Sequence, residues 1–197
     1  MHPSRRALKF PLALVALLLP ALVLAACGGD EQGSVATSSP HDPAKLARGR
    51  DLPRPLAQNL EQANELIDGG RAALEEKLAD LEGHPVVVNQ WGSWCPPCRA
   101  EFPFFADSAE AHLDEVAFLG VDIQDDRRAA EQFLAELPVP YPSVFDPDTE
   151  GVASLGWPGS SPTTWFIDED GEIVFQRPGA YATREQLEAD IDRYLLS

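Results

Sequence analysis

Long apolar runs and helix-period patterns alternate over the second half of the chain. The apolar runs predict buried strands and cover 86–91, 116–123, 143–145, 163–167 and 172–176. Apolar residues three or four positions apart predict helices over 97–113, 126–137, 151–155 and from Thr183 to the end. Strands that alternate with helices and finish in a hairpin predict an α/β domain, with a mixed central sheet covered by helices on both faces.

Two shorter segments with a helical period precede the first strand. The first is set by Leu56, Leu60, Ala63 and Ile67. The second is set by Leu74, Leu78 and Leu81. Glycines follow each segment, as expected where helices end. We therefore predict a helical extension over 56–83 that packs on the edge of the main domain. A pair of helices reserved for binding another protein is the alternative.

The first 26 residues have the pattern of an export signal. Arg5, Arg6 and Lys9 form a basic start, and the segment 10–26 that follows is apolar and carries no charge. A membrane-spanning helix is the alternative, because the apolar segment, once tilted, is nearly long enough to span a bilayer.

A polar linker separates the predicted signal from the folded part of the chain. Residues 28–55 show no periodic apolar face and are rich in Gly, Ser and Pro. The sequence therefore divides into a signal peptide over 1–26, a flexible tether over 27–55 and one domain over 56–197. About 140 residues are enough for a single domain with a substantial core.

The charge of the chain is strongly acidic, with 32 Asp and Glu against 15 Lys and Arg. Removal of the signal would leave 12 basic residues and a formal charge of −20. Such a charge excludes nucleic acid as a partner and repels anionic lipid head groups. The domain is therefore expected to stand off the membrane and to favour partners with basic docking surfaces.

Cysteine usage points to reactivity or metal binding. Apart from Cys27, the chain has only Cys95 and Cys98, which cannot form a framework of structural disulfides. A bridge between residues three apart closes too small a loop to stabilise the fold much. Cys95 lies where a strand turns into a helix, so free N–H groups and the helix dipole stabilise a thiolate there. Pro96 and Pro97 fix this turn, because proline is tolerated at the first helical positions.

Several motifs resemble known families. "LAAC", ending at Cys27, resembles a bacterial lipobox, which implies cleavage before Cys27 and lipid on its thiol. "WCPPC" after an apolar strand resembles the active site of thioredoxin-fold proteins, and Pro103 matches the proline within their active-site helix. "SSPTTWFID" resembles their cis-proline loop, with Pro162 as the cis-proline.

Together with an extra strand and helix between Ile123 and Pro162, these motifs make the chain resemble anchored thiol:disulfide oxidoreductases of the TlpA/ResA type. The resemblance covers 81–197 and implies a thioredoxin-like fold. It also implies that the cofactor is the redox-active disulfide itself, with no metal.

The same resemblance implies a third catalytic residue besides Cys95 and Cys98. Thioredoxins have a buried aspartate six residues before the first cysteine, and Asn89 at that position cannot take a proton. ResA-type relatives have a glutamate three residues after the second cysteine, which corresponds to Glu101. A carboxylate near an apolar strand is partly desolvated, which raises its pKa. A first-turn carboxylate that complements the helix dipole is the alternative for Glu101.

The remaining expected site residues surround the disulfide. The resemblance implies a substrate-docking surface that comprises Trp94, Pro96, Pro97, Ser161, Pro162 and Thr163. The other tryptophans are expected in the core or in a lid over it, namely Trp91, Trp157 and Trp165.

These features predict an extracytoplasmic, lipid-anchored reductase that acts as a monomer on disulfides of exported proteins, with apocytochrome c as one candidate. A membrane dithiol protein of the CcdA/DsbD type would supply the electrons. A disulfide-forming oxidase is the alternative on the same site.

Three further classes fit the sequence less well. A peroxiredoxin-like peroxidase would have Thr or Ser three residues before its reactive cysteine, where this chain has Gly92. A Sco-like copper carrier would space its cysteines more widely and add a later histidine, but no histidine follows His112. A zinc site would need two more ligands, and there is no second cysteine pair.

Overall fold

The computed structural model of the protein describes residues 41–197. Its helices are α1 Pro43–Leu46, α2 Arg54–Glu61, α3 Gly70–Asp80, α4 Pro96–Ala111, α5 Arg127–Glu136, α6 Glu150–Ser154 and α7 Arg184–Tyr194. Its strands are β1 Leu66–Ile67, β2 Val86–Trp91, β3 Ala117–Ile123, β4 Ser143–Asp146, β5 Thr163–Ile167 and β6 Ile173–Pro178. The predicted signal peptide, the lipidation site at Cys27 and the tether up to residue 40 lie outside the described residues.

The strands form one six-stranded mixed sheet in the order β1-β4-β3-β2-β5-β6. The first four strands in this order run parallel, whereas β5 is antiparallel to β2 and β6 is antiparallel to β5. Between β5 and β6, Asp168 accepts hydrogen bonds from the N–H groups of Asp170 and Glu172 and closes the predicted hairpin. The predicted α/β class with a mixed sheet is confirmed.

Two apolar cores lie on opposite faces of the sheet. One is formed by residues of α4, α5 and α7 against alternate positions of β2 and β3. The other is formed by α3, α6 and the start of α2 against the remaining positions of the same strands. All six residues of β2 are buried because this central strand is covered on both faces. Its C-terminal end leads directly into the cysteine pair.

The extension at 56–83 differs in one respect from the prediction. Ile67 does not continue the first helix but forms β1 with Leu66, paired in parallel with Ser143 and Val144 of β4. Asn64 makes this change of direction, with a φ of 64°. Its side chain accepts from Val139 N at 3.0 Å and donates to Leu134 O at 3.2 Å, which ties the turn to the last turn of α5 and to the loop that follows it.

The described part of the predicted tether also contains regular structure. Residues 43–46 form the short helix α1, capped by Asp42, whose carboxylate accepts from Ala44 N at 3.0 Å. α2 begins at Arg54, just inside the stretch predicted as tether. The ring of His41 contacts the Glu110 carboxylate on α4, so the chain is already attached to the domain at the first described residue. Among residues 41–197, no helix combines the length and apolarity needed to cross a membrane.

The packing of α3 leads to a test of whether the extension belongs to the core. Leu74 is fully buried, whereas Leu78 on the same helix is half-buried. We expect Leu74→Ala to lower the free energy of unfolding by about 2–5 kcal/mol, because it removes buried methyl groups and leaves a cavity. Leu78→Ala serves as the matched control and should cost clearly less. Urea unfolding of both variants measures this, and an equally small cost for both would mean that α3 is a detachable interaction helix.

Candidate active site

The cysteine pair lies at the N-terminal end of α4. Cys95 is the N-cap residue with extended backbone, and Pro96 and Pro97 are the first two helical residues. Cys95 and Cys98 are joined by a disulfide, and both are almost fully buried. The Cys98 N–H donates to Cys95 Sγ at 3.3 Å. The strand-to-helix turn expected for these residues is confirmed, and it places backbone N–H groups and the positive end of the helix dipole at the sulfurs.

A short loop presents Trp94 beside the disulfide. The Trp94 side chain is 48% exposed, and its indole Nε1 donates to Ile123 O at 3.1 Å. A Cβ atom at Gly92 would lie 2.6 Å from that indole nitrogen. The absence of a side chain at 92 therefore lets the indole fold back over the loop. The serine or threonine that a peroxidase would have at this position would collide with Trp94.

The proline loop borders the same end of β2. The Ser161–Pro162 peptide bond is cis, which confirms Pro162 as the cis-proline. Thr163 follows it and pairs with Gln90, next to the end of β2, so the loop flanks the segment that leads to Cys95. Ser161 is half-buried, whereas Pro162 and Thr163 are buried, and the Thr163 hydroxyl donates to Ser160 O at 2.8 Å. The Thr163 side chain therefore does not reach the docking surface.

Glu101 is buried inside the domain rather than placed at the helix end. It lies beyond the first turn of α4 and has no exposed surface. One carboxylate oxygen accepts from Asn89 Nδ2 at 3.0 Å, and the other accepts from Tyr181 N at 2.8 Å. Burial raises the pKa of Glu101 from 4.5 to about 7, although the two hydrogen bonds and the nearby Arg177 oppose the increase. The alternative role as a first-turn carboxylate is thus wrong.

A polar cluster at the end of β6 holds the second partner of Glu101. The Tyr181 hydroxyl donates to Asp190 at 2.9 Å, and the Arg177 guanidinium lies 4.3 Å from the centre of the Tyr181 ring. Arg177 also forms an ion pair with Asp190 at 3.3 Å. Nothing in the local sequence pattern signalled this cluster, because Tyr181 is 80 residues from Glu101 and acts on it through its backbone.

The other tryptophans divide between the core and the proline loop. Trp91 and Trp165 are fully buried, and Trp91 stacks on Phe133 with ring centres 4.8 Å apart. Trp157 is half-buried and its indole donates to Ser160 O at 2.8 Å, so it supports the loop before the cis-proline. Within residues 41–197, no three His, Cys, Asp or Glu side chains come close enough together to hold a metal ion.

Comparison with known proteins places this site in a family. The Redoxin family matches residues 73–193. The chain is 36% identical over 115 residues to the thiol-disulfide oxidoreductase ResA of Oceanobacillus iheyensis, a match that covers 58% of this chain and 57% of the relative. It is 43% identical over 113 residues to the thiol:disulfide interchange protein DsbE of Pseudomonas aeruginosa, covering 55% and 61%. The chain thus spans about three fifths of the length of these two relatives.

A solved structure supports the same assignment. A secreted disulfide oxidoreductase of Mycobacterium tuberculosis, described as homologous to DsbE of Escherichia coli, superposes with a TM-score of 0.53 and 28% identity. The superposition covers 58% of this chain and 85% of that one. The fold and the cysteine pair thus define a thioredoxin-like thiol:disulfide oxidoreductase. The chain belongs to the Redoxin family and, within it, is of the TlpA/ResA type.

The buried carboxyl of Glu101 predicts a specific pH dependence of stability. Its pKa is higher in the folded protein than in the unfolded chain, so between pH 4.5 and 7 the folded state binds more protons. The free energy of unfolding therefore falls as the pH rises through this window, by about 3 kcal/mol in total. Glu101→Gln cannot titrate and should lack this contribution. Urea unfolding of the oxidised wild type and variant at pH 4.5 and 7.5 measures the difference, and parallel pH profiles would contradict it.

Proposed function

We propose that this protein is an extracytoplasmic reductase of disulfides in exported proteins, held at the membrane by lipid on Cys27. The export pattern over 1–26 and the lipobox-like "LAAC" support the location. The M. tuberculosis relative described as secreted is consistent with it. The acidic domain would stand off the membrane surface as a monomer on its tether and reach partners that carry basic docking surfaces.

The proposed direction of electron transfer rests on the hydrogen bonding of Cys95. Pro96 and Pro97 have no N–H, and the hydrogen bond to Cys95 Sγ in the structure comes from Cys98 N. A thiolate at Cys95 is therefore stabilised less than it would be beside a dipeptide with free N–H groups. A weakly stabilised reduced form gives electrons away readily, which suits a reductase and disfavours an oxidase.

The first chemical step joins the enzyme to its substrate. The Cys95 thiolate of the reduced enzyme attacks one sulfur of a substrate disulfide, which forms a mixed disulfide and releases the other substrate sulfur as a thiolate. Trp94, Pro96 and Pro97 are exposed around this sulfur, and the loop at Ser161 and Pro162 borders it. These residues are proposed to dock the polypeptide that carries the disulfide.

The second step releases the substrate and uses Glu101. Cys98 must lose a proton before its sulfur attacks Cys95 Sγ, displaces the second substrate sulfur and forms the enzyme disulfide. Glu101 follows Cys98 by three residues on α4, so both side chains lie on the same helix face. A carboxylate with a pKa of about 7 accepts and returns a proton near neutral pH, which is the property of an efficient general base.

The enzyme disulfide must be reduced again before the next turnover. A membrane dithiol protein of the CcdA/DsbD type is proposed to supply these two electrons by the same exchange chemistry. Oxidised apocytochrome c is one candidate for the exported substrate. No further cofactor enters either half of the cycle, because the disulfide of Cys95 and Cys98 itself carries the electrons.

The redox potential tests the proposed direction. We expect the domain, equilibrated with glutathione and dithiothreitol buffers, to have a potential nearer to that of thioredoxin, about −270 mV, than to that of DsbA, about −120 mV. Replacing Pro97 with His would restore the N–H of the second helical residue, which can donate to Cys95 Sγ, and should shift the potential towards the oxidising end. A wild-type value near −120 mV would identify an oxidase instead.

Exchange kinetics test the role of Glu101. Glu101→Gln removes the proton acceptor and should slow resolution of the mixed disulfide near neutral pH by a factor of about 10² or more. Stopped-flow rates against pH, followed by Trp94 fluorescence, measure this. Glu136→Gln is the matched control. Glu136 is an exposed carboxylate on α5 that pairs with Arg99 at the surface of α4. Superimposed profiles for wild type and Glu101→Gln would mean that the proton leaves through water.

A further inference from the structure

A second buried carboxyl lies beside the active-site loop and has no part in the steps above. Asp122 is in β3, directly opposite Trp91 of β2 and Phe145 of β4, and it has no exposed surface. Its neighbour Trp91 is followed by the loop residues Gly92, Ser93 and Trp94, which lead to Cys95. A charged group buried at this position is costly unless something compensates for it.

No donor within the described residues compensates the charge of Asp122. Neither of its carboxyl oxygens accepts a hydrogen bond from an N–H or O–H group there. The group that acts on it is another carboxyl, Asp125, three residues further along the chain. Two ionised carboxylates repel each other and cannot hydrogen-bond, because neither has a hydrogen to donate. A proton on Asp122 turns the same contact into a hydrogen bond to Asp125.

The other charged side chains near Asp122 do not neutralise its carboxylate, because each one has another partner or is exposed. On α5, Arg127 pairs with Asp68 and Glu131, and Arg128 is exposed. On α4, Arg99 pairs with Glu136. On β4, the next acidic residue is Asp146, which accepts from Val152 N on the opposite face of the sheet. Burial and the charge of Asp125 consequently raise the pKa of Asp122 from 3.8 to about 9.

Asp125 connects this carboxyl to the active-site loop. Its two oxygens accept from Ser93 N at 2.5 Å and from the Ser93 hydroxyl at 2.8 Å. Trp94 is held to the same stretch through its indole hydrogen bond to Ile123 O. Ser93 and Trp94, the two residues that precede Cys95, are therefore held by three hydrogen bonds that they donate to Ile123 and Asp125. An ionised Asp122 would push Asp125 away from this position.

We propose that protonated Asp122 donates a hydrogen bond to Asp125 and that the two residues form a positioning pair that holds Ser93 and Trp94, and thereby the docking side of Cys95. The proton stays on Asp122, and Asp125 keeps its charge to accept the two hydrogen bonds from Ser93. The effect of the pair on substrate binding rests on the proposed function. Its effect on the conformation of the loop does not.

The first test follows the loop in the oxidised protein, in which neither Cys95 nor Cys98 has a thiol that could titrate. NMR signals of the Ser93 amide and the Trp94 indole should shift together in one transition near pH 9. Asp122→Asn keeps a hydrogen donor towards Asp125 but cannot ionise, so this transition should disappear. The Trp157 indole serves as an internal control and should not follow the transition. An unchanged transition in Asp122→Asn, or none in the wild type between pH 6 and 10.5, would overturn the proposal.

The second test measures substrate binding at pH 7 with insulin as the disulfide substrate and dithiothreitol as the reductant of the enzyme. Asp122→Ala and Asp125→Ala should each raise KM about tenfold, the loss expected for one charge-assisted hydrogen bond, while kcat changes little. Asp122→Asn should rescue the KM, and Asp114→Asn, an exposed aspartate, is the control for charge. Equal KM values for Asp125→Ala and wild type would contradict the pair. If the wild type fails to reduce insulin, the proposed reductase function fails, whereas the NMR test of the pair still stands.

Discussion

The packing of α4 against β2 is the constraint on which the rest of the site depends. β2 is buried along its whole length, and only three residues separate its end at Trp91 from Cys95, so the cysteine lies at the start of the helix. Burial of Phe102 and Phe105 against the sheet then fixes the rotation of α4. The same rotation turns Cys98 and Glu101 inward. Hydrophobic packing, rather than any polar contact, therefore delivers the second sulfur and the proton acceptor to the same side of the helix.

Two buried carboxyl groups near the end of β2 show how hydrogen-bond donors determine whether a buried acid is protonated. Glu101 and Asp122 are equally inaccessible to water, and burial raises the pKa of both. Glu101 receives two N–H donors, which keep its pKa near neutrality and suit it to proton transfer. Asp122 receives none from residues 41–197, and its burial and the charge of Asp125 raise its pKa to about 9, so it holds its proton at physiological pH. One acid is therefore suited to exchange protons, and the other to retain one.

The N-terminal extension is built into the domain. β1 adds a strand beside β4, and α3 buries Leu74 on the face of the sheet opposite the active-site helix. Asn59 of α2 donates to the carbonyl of Phe118 in β3 at 3.0 Å, which fastens that helix to the sheet. The Redoxin match begins at residue 73, so the family similarity already includes most of α3. The extension thus supports the parallel half of the sheet.

Local sequence pattern determined most of the secondary structure and the place of the chemistry. The apolar runs locate β2 and β5 to the residue, and the spacing of Cys95, Cys98 and Glu101 puts them on one helix face. Each of these properties depends on residues within about one helical turn of one another, so the periodic pattern of the sequence can predict it. The helical period predicted for Ile67 is wrong, because an apolar residue fits either period and the pairing of Ile67 with Val144 in β4 makes it part of a strand. The hydrogen bond from Tyr181 N to Glu101 joins residues 80 positions apart, and the one from Ser93 N to Asp125 joins residues 32 positions apart. Only the tertiary structure could decide them, because burial and donor geometry arise when distant segments pack together.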